Sequence, residues 1–349
     1  MKERIILVIA VFFTLLFPQQ KPNRVGTTAA NFLEIGMSSS AISMGDAYVS
    51  VGRGIEAVYW NPAGLAFMRG NEVTFSYQPW LVDINLIHAA GGISVPSIGN
   101  FALSLTQVNY GDIPVTTVAY QDGTGEVYTA NEYSLGMSYA RKLTTWFSFG
   151  ASVKLISSQI WHCTANAFAV DLGVVVNTGF FTVSGERGDG LTIGMSISNY
   201  GTKMKYDGID LLNPIDISPD EAGNYGDTEG KFETESWELP LIFRIGVSYK
   251  PIVSSYQNLL LSVDAIHPNN NTEYLNLGVQ YELKVFTLGS LFLRGGYKAL
   301  FMPYSEYGPT FGFGLKIRMP RESRLTIDYA YRRLGILGNY NVYTIGFGL

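Results

Sequence analysis

The most regular feature of the chain is an alternation of apolar and polar side chains that begins near residue 72 and continues to the C-terminus. Over 133–139, Tyr, Leu and Met alternate with Ser and Gly, and the same pattern recurs over 147–155, 311–318 and 325–331. A period of two places successive side chains on opposite faces of an extended chain. The pattern therefore predicts β-strands that each have one continuous apolar face.

The alternating segments add up to about fourteen strands. The predicted ranges are 72–77, 84–96, 99–108, 131–140, 147–158, 165–178, 191–200, 240–249, 258–267, 272–283, 291–298, 308–319, 323–332 and 341–349. An even strand number, with short connections on one side and long ones on the other, is typical of bacterial single-chain barrels. Here the long connections are 109–130, 201–239 and 299–307.

A soluble β-sandwich would also alternate, with its apolar rows facing a core. A membrane barrel is favoured because the apolar rows end in aromatic residues and the polar rows consist mostly of Gly, Ser and Thr. The charged residues of the polar rows are predicted to face the lumen and pair there: Lys154, Arg244, Asp264, Arg294, Lys316, Arg318 and Asp328. We predict an all-β fold, a transmembrane antiparallel β-barrel of about 14 strands with a short N-terminal helical or irregular plug.

Composition agrees with a barrel in the bacterial outer membrane, in contact with its lipids. Only 15% of residues are charged, against about a quarter in soluble domains, and there are 38 Gly, 22 Tyr and 20 Phe. The net charge of −5 gives no indication of nucleic-acid binding. With Cys163 as the single cysteine, an intramolecular disulfide is excluded.

The N-terminus has the layout of a signal peptide. Lys2 and Arg4 precede an apolar run, Ile5–Phe17, which is followed by Pro18. A retained anchor is the alternative, although the run is short for a membrane span. The predicted organisation is a signal peptide over 1–20, a plug over 21–70 and a barrel over 71–349.

The predicted plug contains a distinctive stretch, Ala57–Ala66, immediately before the first strand. Pro62 fixes its own φ and disfavours helix at the preceding residue, while Gly64 permits a close backbone approach. Upstream, Ser38–Ala47 predicts a short helix with Ser38 or Ser39 as N-cap. The residues predicted to form the plug or gate are Tyr59, Trp60, Asn61, Pro62 and Gly64. Two interpretations are open, a movable gate and a structural plug that never moves.

Two features of the predicted loops are candidates for binding. Aromatic and apolar residues near the outer mouth suit a hydrophobic ligand or a partner protein, or belong to the membrane belt: Trp80, Leu81, Tyr110, Trp161, Tyr200, Tyr225, Phe301 and Tyr304. The acidic segment 207–238 is interpreted either as a solvated loop or as a calcium-responsive or partner-docking cap. It lacks the ligand spacing of a calcium loop.

Motifs for catalysis are not found, so an enzyme is not expected. The sequence has no Gly-x-Ser-x-Gly elbow, phosphate loop or dinucleotide fingerprint. His162 and Cys163 are adjacent, and adjacent residues point to opposite sides of an extended chain, which makes a poor chelate. We expect no catalytic residue, no metal site and no cofactor.

Three N-terminal segments resemble the signature of a known family. These are Gly26–Gly36, Ile42–Val51 and Ala57–Ala66, of which Tyr59–Leu65 (Tyr-Trp-Asn-Pro-Ala-Gly-Leu) matches best. They resemble the PorV/PorQ family of the FadL-like superfamily of fourteen-stranded outer-membrane barrels. One departure is Met37–Ser40, where the family more often has Gly-Ala-Arg.

The resemblance implies two functions from different classes. PorV-like proteins serve type IX secretion, in which they receive secreted cargo proteins at the outer membrane and pass them to other secretion components. FadL-like proteins are passive transporters of hydrophobic small molecules such as long-chain fatty acids. We expect the first function, with the second as the alternative.

Overall fold

The computed structural model describes residues 24–220, 228–285 and 288–349, and the predicted signal peptide lies outside them. Fourteen strands form the barrel wall. They are β1 Glu72–Pro79, β2 Asn85–Val95, β3 Gly99–Pro114, β4 Val127–Lys142, β5 Phe147–Ile160, β6 Cys163–Asn177, β7 Thr192–Gly201, β8 Ile242–Val253, β9 Gln257–Pro268, β10 Tyr274–Val285, β11 Gly289–Leu300, β12 Pro309–Arg318, β13 Arg324–Arg333 and β14 Asn339–Gly348. Every predicted strand is present, and β3 and β4 extend well into the predicted loop 109–130.

The sheet closes on itself. Each strand pairs antiparallel with the next, and β14 returns to β1 with Gly348 opposite Glu72. Along β1, Val73 and Phe75 are exposed whereas Thr74 and Ser76 are buried. The apolar rows therefore face outward and the polar rows face the lumen, which confirms the predicted barrel. Closure also leaves no unpaired edge among the described strands of the barrel wall, as a membrane requires.

The two ends of the barrel differ in their connections. The turn end carries 96–98, 143–146, 178–191, 254–256, 286–288 and 319–323, and the loop end carries 80–84, 115–126, 161–162, 202–241, 269–273, 301–308 and 334–338. Short 3₁₀ helices occur in these connections at Arg187–Asp189, Ile209–Leu211, Pro320–Glu322 and Gly335–Leu337. The connection 202–241, which we call the lid loop, contains a short strand, Asp207–Gly208, and a hairpin of Leu212–Ile215 with Thr228–Lys231.

Residues 24–70, which we call the plug, thread the lumen from the loop end to the turn end. Thr28 bridges to Glu238 of the lid loop, and Gly70 lies against Leu349 at the turn end. The plug contains α1 Ser39–Ser43 and α2 Ala57–Trp60, with 3₁₀ helices at Asn31–Glu34, Gly54–Glu56 and Pro62–Phe67. Ser38 caps α1 by accepting a hydrogen bond from the Ala41 N–H. Among the described residues, no helix is both long and apolar enough to cross a membrane.

A belt of glycines on the inner wall lets the plug approach the strands closely. It comprises Gly150, Gly173, Gly194, Gly246, Gly278, Gly296 and Gly312, one on each of seven strands. A Cβ on Gly296 would overlap the backbone of Met44 and Gly45. Gly45 itself has φ +65°, and its own Cβ would lie 2.6 Å from Tyr297 N. Plug and wall therefore meet backbone against backbone, which explains the glycine content of the inward rows.

Gly296→Ala is expected to destabilise the barrel, whereas Gly295→Ala is the matched control. Gly295 faces outward, and a Cβ there has its nearest neighbour 3.7 Å away. Since overpacking costs about 1–3 kcal/mol, G296A should lower the free energy of unfolding by that amount, measured by urea titration in lipid vesicles. Equal stability of the two variants would contradict the close contact at Gly296.

Candidate functional site: the plugged lumen

The plug is tied to the wall by a buried carboxylate, Asp46. It forms ion pairs with Lys298 of β11, at 2.8 Å, and with Arg332 of β13, whose Nη1 donates to it at 3.0 Å. Arg332 also donates to the carbonyl oxygen of Ile42, so it holds α1 as well. All three charged groups are buried. Buried charges of this kind are tolerated only when paired and hydrogen-bonded, so the plug depends on both strands.

Two β-bulges lie next to charged side chains of the lumen. In β11, Lys298 and Ala299 oppose the single residue Asn276 of β10, and in β7 the register breaks at Asn199, opposite Asp171. Ala299 and Asn199 have φ of +59° and +65°. Each freed backbone N–H is satisfied by the neighbouring strand, Ala299 N by Asn276 Oδ1 at 2.9 Å and Asn199 N by Asp171 Oδ1 at 2.7 Å. The side chain of the neighbouring strand therefore stabilises each bulge.

The predicted gate residues join different parts of the plug to one another. The Tyr59 hydroxyl lies 2.9 Å from Leu33 O and 2.8 Å from Ile35 O, and Trp60 Nε1 donates to Met37 O at 3.0 Å.

Asn61 joins the plug to the wall. Its Nδ2 donates to Val49 O at 2.8 Å and to Val174 O of β6 at 3.0 Å, while its Oδ1 accepts from Ala63 N. Pro62 lies against Gly150 of β5, and the Gly64 N–H donates to Asn61 O at 2.9 Å. This geometry favours a fixed structural plug over a movable gate.

The loop-end half of the lumen is apolar and already filled. Phe32, Leu33 and Met37 of the plug form one buried cluster with inward residues of β2, β3, β5 and β6 and with Met204 and Leu239 at the two ends of the lid loop. The inward wall residues of this cluster are Leu86, Val108, Ile156, Ala165, Ala167 and Ala169. The apolar surface of the loop-end half is thus covered by the chain itself.

The lid loop is anchored to the barrel by polar contacts. Ser158 and Tyr206 hydroxyls lie 2.6 Å apart, and His162 Nδ1 lies 2.8 Å from Asp210 Oδ1. The hydrogen bond from His162 lowers the pKa of Asp210, so this carboxylate is ionised at neutral pH. Several acidic residues of 207–238 are paired with lysines: Asp207 with Lys231, Glu233 with Lys205 and Glu238 with Lys203.

The predicted lumen charges do not form one network. Arg294 pairs with Asp328, and Lys154 pairs at 2.8 Å with Asp171, which was not among the predicted lumen charges. The prediction for Arg318 was wrong because its side chain is exposed at the turn end, beyond the enclosed part of the lumen.

Three further charges lie in the lumen with no ion-pair partner in the described part of the chain. Arg244 donates to Ser198 Oγ at 3.0 Å and lies over the Trp60 ring. Asp264 accepts from Val49 N at 2.8 Å, and Lys316 faces a cavity. The predicted pairing of these three was wrong: neutral groups take the place of counter-charges at Arg244 and Asp264, and Lys316 faces the cavity instead.

The residues that were predicted to lie at the outer mouth are found in different parts of the structure. Trp80 and Leu81 pack against the cluster around Ile42 and Tyr340, and Tyr110 donates to Glu132 at 2.6 Å. These three are therefore structural contacts, contrary to the prediction of a common binding patch.

The other mouth residues remain exposed. Trp161 stacks on Tyr128, Tyr200 is exposed on the outer face of β7, and Phe301 and Tyr304 are exposed at the loop end. Tyr225 lies outside the described residues. In the described ranges, His, Cys, Asp and Glu do not gather into a group of three that could hold a metal ion.

The wall is closed, its apolar side chains face outward and its polar side chains face the lumen, and the plug threads that lumen. These features define a plugged outer-membrane β-barrel. Solved structures with this fold include the Pseudomonas putida toluene transporter TodX, with 12% identity, TM-score 0.55 and coverage of 89% of this chain and 97% of that one. A FadL homologue from Pseudomonas aeruginosa has 11% identity, TM-score 0.53 and coverage of 93% and 99%. The Ralstonia pickettii toluene transporter TbuX has 10% identity, TM-score 0.53 and coverage of 89% and 97%.

The family itself is shown by sequence. A family model described as "Type IX secretion system protein PorV" matches residues 18–218, which is more than half of the chain. The chain belongs to the PorV family of outer-membrane barrels associated with type IX secretion. Its family and fold are those of secretion and transport barrels, and no curated protein matches it.

Asp46→Asn is expected to release the plug, because it leaves Lys298 and Arg332 buried without a counter-charge. Removing one partner of a buried pair costs about 3–5 kcal/mol, so the free energy of unfolding in vesicles should fall by that amount. The control is Asp189→Asn, which breaks the 3.1 Å contact with Lys250 at the solvent-exposed turn end and should cost about 0–1 kcal/mol. A D46N barrel as stable as D189N would contradict the anchoring role of Asp46.

Proposed function

We propose that this protein is a membrane-embedded partner in protein secretion by a type IX-like system, and that it receives or delivers secreted cargo at the outer membrane. In this role the barrel is a docking platform and its lumen stays closed. Secreted proteins and secretion components bind its exposed surface. Membership of the PorV family supports the secretion role.

The observation that carries the docking mechanism is the occupied lumen. The plug fills the apolar half against six inward wall residues, Met204 and Leu239 at the ends of the lid loop pack into the same cluster, and Asp46 joins the plug to β11 and β13. A protein that docks partners needs an exposed surface to bind them and does not need an open path through its lumen. Exposed apolar side chains at the loop end supply such a surface, among them Trp161, Phe301, Tyr304 and Ile336.

The alternative is passive transport of hydrophobic small molecules, such as long-chain fatty acids, and the likeness to toluene transporters favours it. Transport requires a continuous apolar path. In this structure the surface suited to such a path is covered by Phe32, Leu33 and Met37. Transport therefore requires the plug to move, whereas docking does not.

A reversible lock on the plug distinguishes the two functions. Ser39 of α1 and Thr344 of β14 have hydroxyl oxygens 2.8 Å apart, so cysteines at both positions can form a disulfide between plug and wall. The double variant S39C/T344C, made with Cys163→Ser, should support surface display of secreted proteins equally in oxidised cells and after addition of a reductant.

The reduced form of the same variant is the control for any effect of the substitutions. Loss of surface display only in the oxidised form would contradict the docking mechanism, because it would show that secretion needs a moving plug. Uptake of a labelled fatty acid that is blocked only in the oxidised form would support the transport alternative. Recovery of secretion components with the locked, tagged barrel would support docking directly.

A further inference from the structure

The plug leaves one side of the lumen open at the turn end. Residues 54–68 pack against β1 to β6, and beside them lies a cavity of about 460 Å³. Its walls come from β1 and from β9 to β14, and Tyr48, Arg53 and Glu56 line it from the plug. This volume is in the range of small-ligand sites. Neither the docking surface nor the plug contacts described above involve this cavity as a binding site.

The cavity contains more positive than negative side chains. Its cations are Arg53, Arg69, Arg294, Lys316 and Arg324, and its carboxylates are Glu56, Glu72 and Asp328. Two pairs account for much of the charge, Arg294 with Asp328 and Arg324 with Glu72. Glu56 accepts hydrogen bonds from the hydroxyls of Ser40 and Tyr48. The unpaired cations are therefore Arg53, Lys316 and, at the rim, Arg69.

Lys316 and Arg53 are poorly satisfied by the protein itself. Lys316 is half-buried, and no hydrogen bond or ion pair reaches its ammonium group from the residues that the structure describes. Arg53 uses only Nη1, which donates to Ser50 O at 2.9 Å and Gly52 O at 2.8 Å, and its guanidinium lies 4.4 Å from the centre of the Phe67 ring. Among the described residues no carboxylate is within ion-pair distance of either group, and a partly desolvated cation without such a contact is costly, so these groups favour an anion.

The position and the lining of the cavity indicate which kind of anion can bind there. The strands that enclose it pair continuously, so lipid headgroups in the bilayer have no lateral access, and the ligand must come from the aqueous phase at the turn end. Its lining also includes Val51, Leu260 and Phe292, which a simple inorganic anion would not contact. We propose that the turn-end cavity binds a short acidic peptide segment, whose carboxylates contact Lys316 and Arg53 while an apolar side chain meets Phe292 and Leu260.

The test is calorimetric titration of the full chain in detergent micelles at low salt. The probe is the acetylated tetrapeptide amide Glu-Phe-Glu-Leu, and the matched probe is Gln-Phe-Gln-Leu. We expect the acidic peptide to bind and the neutral one to bind at least tenfold more weakly. Binding should also weaken as salt is raised, since exposed charges are screened.

Lys316→Gln is the informative variant, and Arg318→Gln is its control because it removes one positive charge from the same strand outside the cavity. K316Q should weaken binding of the acidic peptide about tenfold or more, which corresponds to one charge-assisted hydrogen bond, and R318Q should leave it unchanged.

The proposal is overturned if the acidic peptide does not bind, if the neutral peptide binds equally, or if both variants weaken binding equally. Inorganic phosphate that displaces the peptide at equal concentration would overturn the peptide assignment in favour of a simple anion site. The comparison of the two peptides uses the unmodified protein, so it does not depend on the folding of either variant.

Discussion

The buried charge of Asp46 is the constraint on which the rest of the lumen depends. An ionised carboxylate in this environment is stable only beside cations, and the cations come from two strands of the wall, Lys298 of β11 and Arg332 of β13. The ion pairs therefore fix the level of the plug along the barrel axis. At that level Met44 and Gly45 contact the wall backbone, and Gly296 is needed to make room for them. The apolar cluster above and the open cavity below follow from this placement.

Two irregularities of the wall lie beside charges that the lumen uses. Lys298 has the inward parity of Arg294 and Gly296, and the bulge that it forms with Ala299 lies opposite Asn276. The bulge at Asn199 similarly accompanies the pairing of Asp171 with Lys154. In both cases a side chain of the neighbouring strand satisfies the N–H that the bulge frees, so each irregularity is stabilised where it occurs.

Much of the fold could be predicted from the sequence because the period of two is a local property. Each predicted strand is present, since membrane and lumen impose opposite polarity on adjacent residues. The paired charges were harder to predict. Lys298 and Arg332 lie in phase with the inward residues Arg294 and Asp328, so the alternation contains a signal for them. Their partner Asp46 is in an irregular segment, and no period indicates which strand it meets. Arg318 also has the parity of the inward residues of its strand, but it lies past the enclosed lumen. The sequence does not show where the rim of the barrel lies, so it could not separate Arg318 from the charges inside.

Conductance across a planar lipid bilayer would show whether the chain closes its own lumen. The intact barrel should carry no steady ion current, whereas a barrel that lacks residues 24–68 should carry one, which provides the positive control. A steady current through the intact barrel, comparable to that of the shortened one, would contradict the closed lumen and with it the docking mechanism.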